Sequence, residues 1–349
     1  MFNDVFIKAF EKKASDIHIT VGVPPIFRVN GALQKMEGIS PLKPSETEAF
    51  ALNILGESQK KTLQEKGEVD FSYSLEKKGR FRINAYRQRG SISIAIRPIP
   101  FETPNLETLN LPDVLREMAM KERGLFLVTG PTGSGKSSTL ASMIDFINNH
   151  KTAHIITLED PIEFLHRHKG CIIDQREIGN DSLSFANALR GALRQDPDII
   201  LVGEMRDLET MQIAITAAET GHLVLSTLHT NGAASTVERI IDVFPSSQHQ
   251  QIKVQLANVL NGVLSQQLLK RSDNGGRIVA CEVMIGNKAI HNNIREGKTH
   301  QLMSSIQTGG AEGMISMDNY IMGLYKKNLI TYDEAMAHCV DKKSLSMHI

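Results

Sequence analysis

The fold of this chain is decided by residues 125–137, which read Leu125-Phe126-Leu127-Val128-Thr129-Gly130-Pro131-Thr132-Gly133-Ser134-Gly135-Lys136-Ser137. The apolar run 125–129 predicts a buried strand, and residues 137–148 carry apolar side chains at helical spacing. Between them every fixed position of the phosphate-loop pattern is filled. Because backbone N–H groups and a helix N-terminus bind phosphate in this setting, we predict a nucleoside triphosphate as ligand. A glycine-rich turn without chemistry is the alternative.

Each part of this loop has a predicted task. The glycines let successive backbone N–H groups approach the phosphates, and Lys136 reaches the β- and γ-oxygens. The Ser137 hydroxyl is a predicted ligand of Mg²⁺. The predicted nucleotide-binding residues are Gly130, Pro131, Thr132, Gly133, Ser134, Gly135, Lys136, Ser137 and Ser138.

Composition narrows the class of protein. A length of 349 residues, 41% of them hydrophobic, predicts about two domains with ordinary cores. Lys+Arg and Asp+Glu both total 39, so no net charge favours nucleic acid as the main partner. Cys171, Cys281 and Cys339 have no C-x-x-C spacing and are predicted to be small core residues in a reducing compartment. No secretory or membrane-spanning apolar run is present, which predicts a soluble, cytoplasmic protein.

The first part of the chain, residues 1–98, has strand-like alternation broken by Pro and Gly. Strands are predicted at 16–19, 24–29 and 71–74, and one helix over 41–66 with Ser45 as a cap-like residue. This pattern favours a small α+β domain built on an antiparallel sheet.

The second part, residues 115–349, has a different pattern. A proline-rich stretch at 99–114 is predicted to be a stiff linker before it. Short apolar runs then alternate with helical stretches, which indicates a mostly parallel sheet with helices on both faces. From about Gln248 onward the chain is predicted to be mostly helical, with one strand-like run at 278–284.

Carboxylates and a histidine follow the strands next to the phosphate loop. Glu204 follows the strand 198–202 directly after Gly203, and this position predicts that it lies near the metal or its waters. Three carboxylates follow the strand 155–158, and among them Glu163 is the best candidate to orient or deprotonate the attacking water; a solvated acidic loop is the alternative. His229 ends the next strand and is predicted to sense the γ-phosphate, whereas a structural role is weighed equally for His222, at the start of that strand.

A hairpin is predicted in the first part of the chain. With a two-residue turn at Arg89-Gly90, facing residue numbers sum to 179, which sets Arg82 opposite Arg97. Facing like charges destabilise a sheet unless an anion lies close to them, and the nearest plausible anion is a triphosphate. We therefore predict Arg82 and Arg97 as arginine fingers. Splayed surface arginines, and a turn one residue longer, are the alternatives.

Five segments together carry a resemblance to a known family. They are Ala14–His18, the phosphate loop, the acidic segment Leu158–Glu163, Asp196–Glu204 followed by Met205-Arg206-Asp207, and Gly221–His229. Over almost the full length the chain resembles the type IV pilus retraction ATPases, the PilT-type branch of the secretion ATPase superfamily.

The resemblance implies a fold and a set of roles. The expected class is α/β, with an N-terminal PAS-like α+β domain and a C-terminal RecA-like P-loop domain that ends in a helical region. ATP and Mg²⁺ are the implied cofactors, with Ser137 and Glu204 at the metal. Glu163 is the implied base, while Glu204, His229, Arg82 and Arg97 complete the implied catalytic set.

The resemblance also implies an assembly and a task. The expected assembly is a homo-hexamer at the cytoplasmic face of the inner membrane, acting on a pilus platform protein and on no nucleic acid. Pilus-assembly and secretion ATPases usually carry a larger N-terminal region and four zinc-binding cysteines, so the retraction branch is favoured. The segment 289–296 resembles the Ala-Ile-Arg-Asn-Leu-Ile-Arg-Glu helix of this branch but has His291 in place of Arg and Asn293 in place of Leu.

Three other functions are weighed against a retraction motor. One is a pilus-assembly or secretion ATPase of the same superfamily, and another is an accessory ring subunit that binds nucleotide without efficient hydrolysis. The third is a RecA-like nucleic-acid translocase, which the absence of Trp and the zero net charge disfavour.

Overall fold

The computed structural model describes residues 2–75, 79–99, 103–273 and 275–348. Contacts divide the chain into two units, Met1–Glu102 with Glu163–Leu165, and Thr103–Ile162 with His166–Ile349. No helix in the described ranges is both long enough and apolar enough to cross a membrane.

The first unit contains a six-stranded sheet in the order β3-β2-β1-β6-β5-β4, in which all neighbours are antiparallel. Inward side chains such as Ile17, Ile83 and Ile96 form its core with α1 and α2. Its elements are α1 (Phe2–Glu11), β1 (Asp16–Ile19), β2 (Ile26–Val29), β3 (Ala32–Lys35), α2 (Pro44–Ile54), α3 (Glu57–Lys66), β4 (Glu68–Leu75), β5 (Gly79–Gln88) and β6 (Ser91–Ile99).

The single helix predicted over 41–66 is wrong in detail. Two helices occupy this range, and Ser45 lies inside the first of them. The backbone N–H of Lys43 donates to Glu46 Oε2 at 2.7 Å, and that of Gly56 donates to Gln59 Oε1 at 2.6 Å. Each helix therefore begins at a residue whose N–H is satisfied by the side chain three positions later.

The second unit contains a seven-stranded sheet in the order β13-β12-β7-β11-β10-β8-β9. All its neighbouring strands are parallel except β12 and β13. The elements that build it are α4 (Val114–Ala119), β7 (Gly124–Thr129), α5 (Lys136–His150), β8 (His154–Glu159), β9 (Ile172–Glu177), α6 (Phe185–Ala192), β10 (Ile199–Val202), α7 (Leu208–Glu219), β11 (Leu223–Leu228), α8 (Ala233–Val243), α9 (His249–Val259), β12 (Leu260–Lys270) and β13 (Arg277–Ile285).

Helices follow the sheet to the end of the chain. They are α10 (Lys288–Glu296), α11 (Leu302–Thr308), α12 (Met317–Lys326), α13 (Tyr332–His338) and α14 (Lys342–His348). The last three pack with Leu269 and Ile278 into a small separate core. A helical C-terminal region was predicted, but the range from 248 onward also holds the strand β12, which was not.

The central strands β7, β10 and β11 are buried at every residue because both faces of the sheet are covered. Leu125 and Leu127 of β7 belong to the core on one face, and Phe126 and Val128 belong to the core on the other. This is the pattern of a parallel sheet between two helical layers. Because β7, β11, β10 and β8 are parallel neighbours, their carboxyl ends lie side by side along one edge of the sheet.

Candidate active site

The phosphate loop joins β7 to α5. The Lys136 ammonium is buried and donates to the carbonyl oxygens of Gly130, at 2.8 Å, and Pro131, at 3.1 Å. Gly130 has φ 136°, and a Cβ there would lie 2.2 Å from the carbonyl oxygen of Gln266. The loop needs glycine at this position because strand β12, which carries Gln266, passes directly against it.

Glu204 and His229, which were both predicted at this edge of the sheet, are brought into contact by neighbouring strands. His229 Nε2 lies 3.2 Å from Glu204 Oε1, and Arg206 Nε lies 2.8 Å from Glu204 Oε2. The side chain of Glu204 is 17% exposed, whereas that of His229 is 43% exposed. Glu204 is an anion with a cation on one oxygen and a histidine on the other, at the sheet edge that also bears the phosphate loop.

The backbone fixes these two side chains at the edge. Thr227 Oγ1 donates to the Gly203 carbonyl at 2.6 Å, and Met205 N–H donates to the Thr227 carbonyl at 3.2 Å. On the other side, the backbone N–H of Gly203 donates to the carbonyl oxygen of Leu158 at 2.7 Å. The turn that carries Glu204 is therefore tied to both adjacent strands.

The acidic segment after β8 divides between the two units. Glu159 Oε1 accepts from Thr157 Oγ1 at 2.7 Å and from Gln175 Nε2 at 3.3 Å, so it is part of the sheet edge. Glu163 is exposed and is grouped with the first unit. Its role as base stays a prediction, which rests on the cluster of carboxylates after the strand and on the resemblance.

The hairpin register predicted from the sequence is confirmed. Arg82 faces Arg97, and residues 89 and 90 form the turn with φ 50° and 79°. The inference about the anion is incomplete, because Asp16 on β1 supplies one: its Oδ1 accepts from Arg97 Nη2 at 2.7 Å and from Nε at 3.0 Å. The carboxylate offsets the repulsion between the two arginines without any ligand.

His222 has a structural contact. Its Nδ1 donates to the Ala217 carbonyl at 2.9 Å, which joins the end of α7 to the start of β11. His222 and His229 lie at opposite ends of β11, so the two histidines do not share a site.

Sequence reasoning missed Gln266, which lies on the missed strand β12. Its side chain is buried against the phosphate loop and contacts both Ser134 and Thr139. The segment Leu260–Lys270 is rich in Leu and Gln, which are good helix formers, and no motif marks it. The length of the segment suits a strand, but its burial, which would have decided the question, is known only from the structure.

A cavity of about 170 Å³ adjoins the phosphate loop and the first turn of α5. Leu109, Ser138, Thr139, Leu268, Arg271 and Arg277 contribute to its lining. Apolar walls with nearby guanidinium groups can accept the part of a ligand that extends beyond the phosphates.

Comparison with known proteins decides the family. A sequence profile described as type II/IV secretion system protein matches residues 1–322. The chain belongs to this family. The α/β fold class and the predicted resemblance to PilT-type retraction ATPases are both confirmed by relatives and solved structures.

Two curated relatives illustrate the match within the type II/IV secretion family. The type IV pilus retraction ATPase PilT of Pseudomonas aeruginosa is 48% identical over 329 residues, covering 94% of this chain and 95% of that protein. A twitching motility protein of Neisseria gonorrhoeae is 46% identical over 322 residues, covering 92% of this chain and 86% of that protein.

A solved structure of this family gives the same result. The crystal structure of the pilus retraction motor PilT with bound ADP matches with a TM-score of 0.92 at 48% identity, covering 99% of this chain and 98% of that one. The Legionella pneumophila ATPase DotB matches with a TM-score of 0.84 at 29% identity, covering 96% of this chain and 94% of that one.

The two departures from the retraction-branch helix have contacts within the second unit. His291 on α10 donates through Nε2 to the Leu260 carbonyl at 3.0 Å. Asn293 Nδ2 donates to Ser305 Oγ at 3.1 Å. Both side chains therefore anchor α10 to neighbouring segments by hydrogen bonds.

Proposed function

We propose that this protein is an ATP-hydrolysing motor that drives type IV pilus retraction. It works as a homo-hexamer at the cytoplasmic face of the inner membrane, on a pilus platform protein. The observation that carries the proposal is the alignment of three adjacent strand ends: β7 leads into Lys136, while β11 and β10 bear the paired His229 and Glu204. The identity to retraction and twitching proteins over nearly the whole chain supports the cellular task.

The residues of the site divide the work of hydrolysis. Lys136 and the loop amides bind the β- and γ-phosphates, and the exposed Ser137 hydroxyl with the Glu204 carboxylate offers the oxygen ligands that Mg²⁺ prefers. When bound, Mg²⁺ would neutralise charge on the phosphates. His229 contacts the γ-phosphate and couples it to Glu204 through the direct contact between the two side chains. The cavity beside α5 takes the nucleoside.

Residues grouped with the first unit supply the other roles. Glu163 orients or deprotonates the attacking water, and Arg82 and Arg97 stabilise charge on the transferring phosphoryl group.

A steady-state ATPase assay with Mg²⁺ tests the enzymatic part. Glu163→Gln is expected to keep ATP binding and to lower kcat on the order of a hundredfold or more, because a general base is lost while the phosphate contacts stay. Glu159→Gln is the matched control, since its carboxylate already accepts from Thr157 and Gln175. A wild-type protein that binds ATP but does not turn it over would favour the accessory-subunit function.

The cellular part is tested in a deletion strain. Loss of retraction predicts cells that keep surface pili but do not twitch, whereas loss of an assembly motor predicts cells without pili. Complementation by wild type but not by Glu163→Gln supports the motor. A particle mass other than six chains in the presence of ATP and Mg²⁺ would contradict the proposed ring.

A further inference from the structure

Gln266 of β12 uses both ends of its amide on the phosphate-loop side of the sheet. Its Nε2 donates to the Ser134 carbonyl at 2.6 Å, and its Oε1 accepts from Thr139 Oγ1 at 2.9 Å. The residue is 1% exposed. One buried side chain therefore joins the loop to the first turn of α5.

The orientation of this amide follows from its partners. The Ser134 carbonyl can only accept, so the NH₂ end must face it, and the Oε1 end then faces the Thr139 hydroxyl as donor. The preceding side chain, Ser265, points to the other face, where its Oγ accepts from Gly232 N–H at 2.9 Å. Alternation along β12 thus directs Gln266 alone of these two side chains to the loop.

The contact acts on a peptide unit of the proposed phosphate-binding loop. The Ser134 carbonyl and the Gly135 N–H belong to the same planar trans peptide, so they point in opposite directions. Holding the carbonyl toward Gln266 directs the Gly135 N–H away from it. Gly135 has φ 92°, and its missing side chain leaves this peptide free to rotate unless a partner holds it.

We propose that Gln266 is a positioning residue for ATP binding, which fixes the direction of the Gly135 N–H through the Ser134 carbonyl. Thr139 completes the device by holding the Gln266 amide in the required orientation. The inference rests on the proposed nucleotide site and adds to it a residue on a strand that carries no recognised nucleotide motif. Its effect is on the affinity and KM for ATP, because the group it orients contacts the bound phosphates in ground state and transition state alike.

The test compares Gln266→Leu with Gln267→Leu. Both replace a glutamine on β12, but Gln267 Oε1 is a partner of His338 on α13, at 3.0 Å, and does not reach the loop. Binding of ATP is measured by calorimetry on the Glu163→Gln background, and KM and kcat are measured on the wild-type background. We expect Gln266→Leu to raise the Kd and KM for ATP by about tenfold, and Gln267→Leu to leave both unchanged.

Two further variants separate positioning from folding. Gln266→Glu places a carboxylate oxygen against the Ser134 carbonyl and is expected to weaken binding more than Gln266→Leu. Thr139→Val removes only the hydroxyl and is expected to raise Kd by about threefold, with no additional effect when combined with Gln266→Leu. If Gln266→Leu does not fold, an unchanged Kd in Thr139→Val overturns the proposal.

The outcomes distinguish this inference from the nucleotide site itself. Unchanged ATP affinity in a folded Gln266→Leu variant, with a lowered unfolding temperature only, means a structural role and overturns the inference. Lys136→Ala is measured alongside: if it binds ATP like wild type, the proposed nucleotide site fails. If Lys136→Ala loses ATP and Gln266→Leu does not, only the positioning role fails.

Discussion

His229 Nε2 and Glu204 Oε1 lie 3.2 Å apart, a contact that joins the carboxyl ends of the adjacent strands β11 and β10. Replacing either residue therefore removes a direct contact of the other. Because Arg206 occupies the second oxygen of Glu204, at 2.8 Å, the carboxylate is held between two neighbours. We propose that the two residues act as one unit, in which His229 contacts the γ-phosphate and Glu204 is the proposed metal ligand.

Removing the histidine of this pair should slow hydrolysis. We expect His229→Ala to lower kcat by about a hundredfold with little change in ATP affinity, because Lys136 and the loop amides supply the ground-state phosphate contacts and we assign His229 to the charge that develops on the γ-phosphoryl group in the transition state. His222→Ala is the matched control on the same strand. It loses the hydrogen bond to the Ala217 carbonyl and should lower stability by about 1 kcal/mol with kcat unchanged. Equal kcat for both variants would contradict the assignment.

Loss of the loop lysine should abolish tight nucleotide binding. Lys136→Ala removes the ammonium that donates to the Gly130 and Pro131 carbonyls and that we assign to the phosphates. We expect the Kd for ADP and ATP to rise by about a hundredfold. Lys169→Ala, whose ammonium pairs with Asp145 on α5 at 2.7 Å, should bind like wild type. Calorimetry on both variants measures these Kd values, and an unchanged Kd in Lys136→Ala would contradict the prediction.

The two hairpin arginines should differ in one measurable respect. Arg82→Ala and Arg97→Ala are both expected to lower kcat by about tenfold or more, since each would remove positive charge from the transferring phosphoryl group. Arg97→Ala also leaves Asp16 without its nearest cation, so a small loss of stability is expected there alone. Arg87→Ala, an exposed arginine on β5, is the control. Wild-type kcat in both variants would leave the hairpin with a structural role only.

Acid should destabilise the second unit through His166. Burial lowers the pKa of His166 to about 4, and its Nδ1 has no hydrogen-bond partner among the described residues. Between the unfolded pKa near 6.5 and this value the unfolded state binds more protons, so the free energy of unfolding falls as pH falls. The loss from pH 8 to pH 5 is expected to be about 2 kcal/mol.

Denaturant unfolding across pH 4 to 8 checks the effect of His166. His166→Gln should remove most of the pH dependence in this window, whereas His300→Gln, at an exposed histidine, should leave the slope as in wild type. A slope that survives in His166→Gln would assign the acid sensitivity to other groups.

Local sequence was enough for the parts of the site whose geometry is local. The phosphate loop is one continuous segment, and hairpin register follows from turn length, so the loop and the facing of Arg82 and Arg97 could be predicted. The pairing of Glu204 with His229 was also within reach, because parallel strands bring their carboxyl ends to one edge.

Contacts between distant segments had to come from the tertiary structure. The sequence did not show that Asp16 supplies the anion for Arg97, because the two are 81 residues apart and meet only through sheet order. It did not reveal β12 either, because Leu and Gln favour a helix in isolation. This segment forms a strand because it pairs with β7 on one side and β13 on the other and is buried there. Gln266 was missed for the same reason as β12. Its proposed role depends on the loop backbone that lies beside it, and the identity of a side chain does not show which backbone that is.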